Sequence, residues 1–531
     1  MNKLLSFYNK YEFPIFVFIT TISALHVFLY FIFPTLDGPQ HLHNSNVILG
    51  LLANNPLIES YYKFNPVLVS NLSGHVLLSL FNYFLPANIA LNLLIFTYIM
   101  GMAFSFRYLI MSVSGRFSPI GYGVFPFIMN SSLMLGLFNY CLSLILLFIM
   151  IGYWLRVQKE FKISQLVVFG LLLLLMNFTH LLSFVFLGIF IILFLIYNEI
   201  QNIHLHGTPR YKQLFVKVIK LSLASIPALL LVVNYLFSVS SIINNASSEG
   251  SDKLNIFETL YYVRPLIIFH VENDGNANLI LFYGIIALIL VYLAYRVFNR
   301  KYAGLHNFNN NLMLIMLIVT LIMLIVVPPR YILYTMRIRI SLMFFLFLII
   351  WLSNLKLPGI VEIIAGILFL FIFSEHQFRM SHYRTQLSEH AKEIYSVEQQ
   401  MEDNTTYMPV NAGKQWINKH ILNYLGSEKT IVNLKNPQVY GPFPLVWNLE
   451  KMPHTLYGGH ERDEIPISFI SGPPQSKRQE IDYVVIHYPD IMDMERGGEE
   501  FASFFSILDS EFVRVFESAT NKVALFQRIE K

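Results

Sequence analysis

The 531-residue chain is 55% hydrophobic and only 13% charged, with a mean hydropathy of +0.54. Soluble globular chains carry about 25% charged residues, so an ordinary water-soluble enzyme is excluded and much of the chain belongs in lipid. A net charge of +4 with no dense Lys/Arg run argues against a nucleic-acid partner, and the lone Cys141 rules out an intrachain disulfide.

A spanning helix needs roughly 20 apolar residues, and about eleven segments reach or approach that length. In chain order they are 14–34, 88–110, 118–133, 136–155, 164–179, 181–198, 215–238, 278–297, 311–327, 340–354 and 357–374. The first has no small-residue cleavage site and is followed by further spans, so it reads as a retained helix rather than a signal peptide. The segment 118–133 is the weakest, being short and interrupted by Pro119, Gly121, Gly123 and Pro126.

Lys and Arg in short loops set the orientation. Lys3 and Lys10 precede the first span, and Arg107 and Arg116 follow the second. Arg156, Lys159 and Lys162 follow the fourth, Arg210, Lys212 and Lys217 the sixth, and Arg296, Arg300 and Lys301 the eighth. With a cytoplasmic N-terminus every one of these clusters is cytoplasmic, and an odd span count carries the C-terminal tail outside. The outer loops are then 35–87, 239–277 and 328–339. Counting 66–87, "PVLVSNLSGHVLLSLFNYFLPA", as another span would put Arg107 and Arg116 outside. Its Asn71, Ser73, His75 and Asn82 form a polar stripe suited to a helix lying along the outer interface.

Near residue 380 the composition turns polar. "QLSEHAKEIYSVEQQMED" reads as helix, and "NAGKQWINKHILNYL" also has helical spacing. The runs 429–436, 482–489, 512–518 and 522–530 alternate β-branched residues between turn formers and read as strands. A unit of about 150 residues can bury its own core. The predicted fold class is therefore a polytopic α-helical membrane protein with a C-terminal soluble α/β domain. Residues 1–378 form the transmembrane domain, including the first outer loop 35–87, and 379–531 an extracytoplasmic domain.

The stretch "FIFPTLDGPQHLHNSN" (31–46) sets Asp37, His41 and His43 at the mouth of the first span. Gly38-Pro39 marks a turn and starts a helix at Pro39, whose N-terminal amides favour an ionised Asp37. His41, four residues on, can share a face with Asp37, whereas His43 points elsewhere and reads as a solvated interfacial residue. The loop "PPRYILYTMRIRI" offers Arg330, Arg337 and Arg339 on the outer side, where the positive-inside tendency places few cations. A guanidinium fork binds phosphate bidentately, which Lys cannot do. His75 and His180 are candidates to line a cavity. In the loop 239–277, Arg264, His270, Glu272 and Asp274 read mostly as solvated charge, and "YGGHERDE" (457–464) as a surface turn. The plainer readings make Asp37 a helix cap and the arginines contacts to lipid headgroups.

"LDGPQHLHNSNVILGLL" and "NPVLVSNLSGHVLLSLFNYFLPANIALNLLIFTYIMGMAFSFRYLI" resemble the first outer loop and second span of GT-C membrane glycosyltransferases, which use polyprenyl-phosphate sugar donors. The second segment is similar to the juxtamembrane helix of bacterial protein-mannosyltransferase-like enzymes. "MNSSLMLGLFNYCLSLILLFIMIGYW" and "THLLSFVFLG" resemble an uncharacterised bacterial branch of that group. The resemblance covers 14–200 well and the remainder loosely. It implies transfer of a sugar from a polyprenyl-phosphate donor to an extracytoplasmic glycan, lipid or protein acceptor in the cell membrane. An Asp of the first outer loop acts as base in that pattern, and Asp37 matches it. His41 would then donate to the donor phosphate or join Asp37 on a divalent cation, although the family's "DxD" or "DE" metal pair is absent and no metal site is specified. An Arg in a late outer loop takes the donor phosphate in related enzymes, a place that Arg330 or Arg337 occupies. A transporter or flippase, or a non-catalytic assembly subunit, is the alternative. The two halves of the chain do not resemble each other, and its ionisable groups crowd at the outer ends of the spans rather than mid-membrane, unlike a transporter.

Overall fold

The computed structural model describes residues 2–245, 255–298, 308–327, 331–439, 443–448, 450–451, 481–494 and 502–529. It divides into two compact units, one of Met1–His26 with Phe96–Ser381 and one of Val27–Ile95 with His382–Lys531.

The first unit is helical. Among the described residues nine helices of the chain are long and apolar enough to cross a membrane: Ser6–Leu29, Ala87–Ser114, Phe138–Val157, Leu181–His206, Tyr211–Phe237, Val271–Phe298, Phe308–Val326, Thr335–Ser353 and Gly359–Glu398. The chain is a multi-pass membrane protein. Ile163–Thr179, expected as a span, is an apolar helix at the short end of the range. Glycines let Ala87–Ser114 approach Phe138–Val157, as small residues do between membrane helices. A Cβ on Gly101 would fall 2.6 Å from Ile145, and one on Gly152 would fall 2.6 Å from Tyr108.

The segment 118–133 is not one helix. Ser118 caps the 3-10 turn Pro119–Gly123, Val124–Ile128 follows, and Asn130 caps Ser131–Met134 by accepting from the Ser132 and Leu133 amides. Pro and Gly break the ladder there, and the irregular backbone survives because every piece is buried in protein. Two arginines of this unit are paired: Arg107 with Glu12 at 2.8 Å, and Arg116 with Glu362, which also accepts from Ser118. Asp274, expected as solvated charge, is buried. Its Oδ2 accepts from the amides of Ile268, Phe269 and His270, and its Oδ1 pairs with Arg379.

The second unit joins the loop after the first span to the C-terminal region, whereas the sequence reading groups 35–87 with the membrane helices. Its five-stranded sheet runs β3-β2-β5-β7-β6, with β2 at Thr405–Asn411, β3 at Ile431–Asn433, β5 at Tyr483–His487, β6 at Phe512–Glu517 and β7 at Val523–Arg528. β3, β2 and β5 are parallel, and β7 and β6 extend the sheet antiparallel. A separate pair joins β1 (Tyr62–Phe64), from the first loop, to β4 (Leu445–Trp447). One core contains Val47, Ile48 and Ile58 of the loop together with Val432, Val484 and Phe504 of the C-terminal region.

β2 escaped the sequence reading because Pro409 argues against a central strand. The strand tolerates it through register. The Tyr407 carbonyl accepts from Leu434, so Tyr407 and, two residues on, Pro409 face β3, which pairs only as far as Tyr407. No ladder bond is lost. The segment read as helix over "NAGKQWINKHILNYL" forms only the turns Trp416–Asn418 and Ile421–Tyr424. Asn411 donates to the Asn418 and Lys419 carbonyls, and the Asn418 side chain donates to Gln415, so side chains compete with a helical ladder.

Ser73–Phe84, the core of 66–87, has 12 residues and is too short to span. His75, Leu78 and Ser79 face inward, while Val76, Leu80, Tyr83 and Phe84 present an exposed apolar ridge.

Candidate active site

Gly38–Leu52 starts where Gly38-Pro39 dictates, since Pro39 has no N–H to lose in the first turn. Gly38 is required sterically: a Cβ there would lie 2.2 Å from Thr35 Oγ1. Asp37 occupies the N-cap position, yet its carboxylate makes no capping hydrogen bond. Its Oδ1 lies instead 3.8 Å from His420 Nε2, with the His420 side chain 19% and the Asp37 side chain 23% exposed. Burial, with the positive charges of Lys419 and Lys435, pushes the His420 imidazole down to about 3. At neutral pH the carboxylate therefore faces an uncharged ring. Lys435 is lowered to about 8 by its own burial and by the charge of Lys419.

His41 turns into protein. It is buried, and its Nδ1 lies 3.2 Å from Nε2 of His75 on Ser73–Phe84. Burial, and then the neighbouring His41, holds the His75 imidazole well below its usual range, so it stays neutral. His75 Nδ1 has no hydrogen-bond partner among the described residues. His43, expected to be solvated, is fully buried. Its Nδ1–H donates to the Leu425 carbonyl at 2.9 Å, and burial pushes it down to about 4. Gly426 beside it has a φ of +74°, and a Cβ there would fall 2.9 Å from the His43 ring, which leaves no place for a side chain.

In the helical unit, Arg337 is buried on Tyr331–Ser353. The Arg339 guanidinium lies 5.5 Å from the Tyr140 ring centroid, and its backbone carbonyl accepts from the Tyr140 hydroxyl at 2.7 Å. The same ring meets His180 edge-on at 5.4 Å. Tyr140 thus joins two residues that the sequence nominated separately. His180 caps Leu181–His206, its Nδ1 accepting from the Leu182 amide at 3.2 Å. Arg330 and 457–464 lie outside the described residues. Among the described residues no group of three His, Cys, Asp or Glu side chains is arranged to hold a metal ion.

Sequence reasoning missed His420, which carries no motif in its own stretch of chain and which only tertiary folding brings to Asp37.

No family model matches the chain, and no curated protein matches it. Among solved structures, apo ArnT from Cupriavidus metallidurans aligns over 98% of this chain and 98% of its own, with a TM-score of 0.52 at 9% identity. ArnT from the same organism bound to undecaprenyl phosphate aligns over the same shares with a TM-score of 0.51. The chain shares the ArnT fold. That end-to-end likeness agrees with the GT-C architecture implied by the resemblance of the segment after the first span. At 9% identity it concerns the course of the chain and assigns no role to a residue.

Proposed function

We propose that the protein is an integral membrane glycosyltransferase that moves a sugar from a polyprenyl-phosphate donor to an extracytoplasmic glycan, lipid or protein. The observation that carries this reading is the fold shared over 98% of both chains with an ArnT structure that holds undecaprenyl phosphate. Asp37 is the base: an acceptor hydroxyl attacks the anomeric carbon, the bond from that carbon to the phosphate oxygen breaks, and the carboxylate takes the hydroxyl proton. A carboxylate at a helix N-terminus and not used as a cap suits that task. Arg337 and Arg339, with Arg330, hold the departing lipid phosphate through guanidinium forks. His41 acts through His75, fixing the first turn of the helix that follows Asp37. The N-terminus is cytoplasmic and the C-terminal domain extracytoplasmic.

The test is the purified chain in nanodiscs with a panel of polyprenyl-phosphate sugars, scoring release of the polyprenyl phosphate together with glycosylated acceptor. Movement of an intact donor across a vesicle without transfer would favour a flippase instead. For the orientation, Ala53→Cys is expected to react with an impermeant reagent from outside and Lys159→Cys only after permeabilisation. The reverse pattern would remove Asp37 from the extracytoplasmic side.

A further inference from the structure

The helix Gly359–Glu398 has 40 residues and rises about 60 Å, twice the ~30 Å hydrocarbon core, so its C-terminal part stands clear of a bilayer. Residues 382–398 of it belong to the second unit. Two side chains one turn apart tie that part to the sheet. The Glu393 carboxylate accepts from the Thr520 amide at 2.9 Å and from the Thr520 hydroxyl at 2.7 Å, in the turn between β6 and β7. His390 meets His487, the last residue of β5, Nε2 to Nε2 at 2.8 Å with the rings nearly perpendicular.

The protons of this contact are fixed by its surroundings. Asn411 ends β2 directly opposite His487 in the parallel register. Its amide nitrogen donates to the Asn418 and Lys419 carbonyls, so its oxygen is the atom that takes the Gly413 amide and faces His487 Nδ1 at 2.6 Å. His487 therefore carries its hydrogen on Nδ1 and presents a lone pair at Nε2, and His390 donates to it from its own Nε2. Both rings are buried, and the Tyr488 ring lies 4.3 Å from that of His487. Tyr488 is held there with a φ of +58°, its amide donating to the Lys522 carbonyl at 2.6 Å.

A first added proton can sit on His390 Nδ1 and leave the contact standing. A second has only His487 Nε2, where it would set one N–H against another between two cations 2.8 Å apart. The charged groups acting on the pair are Glu393 on the same helix and Lys522 in the β6–β7 turn, and the Tyr488 phenol beside them stays neutral. Burial, and then His390 and Lys522, holds the His487 imidazole well below its usual range. The folded chain thus refuses a proton that the released chain accepts, so the hold is complete above pH 6.5 and weakens as pH falls below it.

We propose that His390 and His487 form an acid-operated latch, which keeps the 382–398 end of the helix on the sheet and lets it go when both imidazoles are protonated. The latch is a property of the fold and stands whether or not the chain transfers sugar.

The experiment is hydrogen exchange of the full chain in phosphatidylcholine nanodiscs from pH 7.5 to 4.5, each rate divided by the intrinsic rate at that pH. Every imidazole that takes a proton on release steepens the loss of protection in 382–398 by about tenfold per pH unit below 6.5. Phe138–Val157 in the helical unit should keep its protection over the same range. His390→Gln retains an N–H donor for His487 and removes one titrating ring, so the slope should drop by about tenfold per pH unit. Changing both (His390→Gln with His487→Gln) should leave protection of 382–398 flat with pH. If that double variant is already unprotected at pH 7.5, the single variant decides. Protection of 382–398 that ignores pH in the wild type, or a slope that His390→Gln leaves unchanged, overturns the proposal. Loss of protection in 382–398 only together with Phe138–Val157 also overturns it, as acid unfolding of the whole chain.

Discussion

The two units bury polar groups by different means. In the helical unit, three arginines are neutralised by partners of opposite sign: Arg107 with Glu12, Arg116 with Glu362, Arg379 with Asp274. In the sheet unit the buried polar groups are mostly neutral amides and imidazoles bonded to one another. His41 meets His75, Asn423 meets Asn433, and His390 Nε2 lies 2.8 Å from His487 Nε2, with Asn411 2.6 Å from the other His487 nitrogen. Apolar surroundings leave a lone charge no partner but a counter-charge, whereas a domain with loops can surround a polar group with amides. The lesson is where to look for chemistry. Charges already matched inside the helical unit are structural, and the residues to test for chemistry are those without such a match, beginning with Asp37 beside a neutral His420.

The sharpest way to break this comparison is at Asp274. If it is a structural counter-charge, Asp274→Ala leaves Arg379 and three amides without their acceptor and should cost about 3–5 kcal/mol, read as a large fall in thermal midpoint in detergent. A midpoint within error of wild type would place Asp274 among the solvated residues after all.

Acid should act on the other unit. His43 has a folded value of about 4 against an ordinary value near 6.5. The unfolded chain binds a proton that the folded chain refuses, so stability is complete above pH 6.5 and falls as pH drops from 6.5 toward 4. The full loss would be about 3 kcal/mol. His43→Gln keeps a donor for the Leu425 carbonyl and removes the titration, and it should flatten the dependence of melting on pH across that window. An unchanged slope would mean that His43 carries no acid sensitivity.

The smallest effect belongs to the amides. Asn423→Ala leaves the buried Asn433 amide short of its acceptor, worth about 1–3 kcal/mol. A thermal midpoint within error of wild type would show that this amide pair adds nothing to stability.

How much of this was legible in the sequence follows from the range of the forces involved. Long apolar runs are local, and most of the helices could be read from them. The break at 118–133 was signalled by its prolines and glycines, although not its burial as three capped pieces. Asp37 stood out because Gly38-Pro39 announces a helix start. The fates of His43 and Asp274 could not be read, since a polar residue beside an apolar segment looks the same whether solvated or buried on a distant carbonyl or arginine. β2 was hidden by Pro409, tolerated only because β3 is short. His420, which meets Asp37, lies more than 380 residues from it along the chain, and no spacing rule links the two.

The central claim is that Asp37 is a base and not a cap. Asp37→Asn keeps the shape and most of the hydrogen bonding while removing the charge and the basicity. Measured beside wild type in nanodiscs with a polyprenyl-phosphate sugar that wild type uses, transfer should fall by about 10²–10⁴. Thermal stability and donor affinity should be unchanged, because the carboxylate makes no capping bond and the phosphate contacts belong to other residues. A mutant that transfers sugar as fast as wild type would contradict the account and leave Asp37 without a catalytic role.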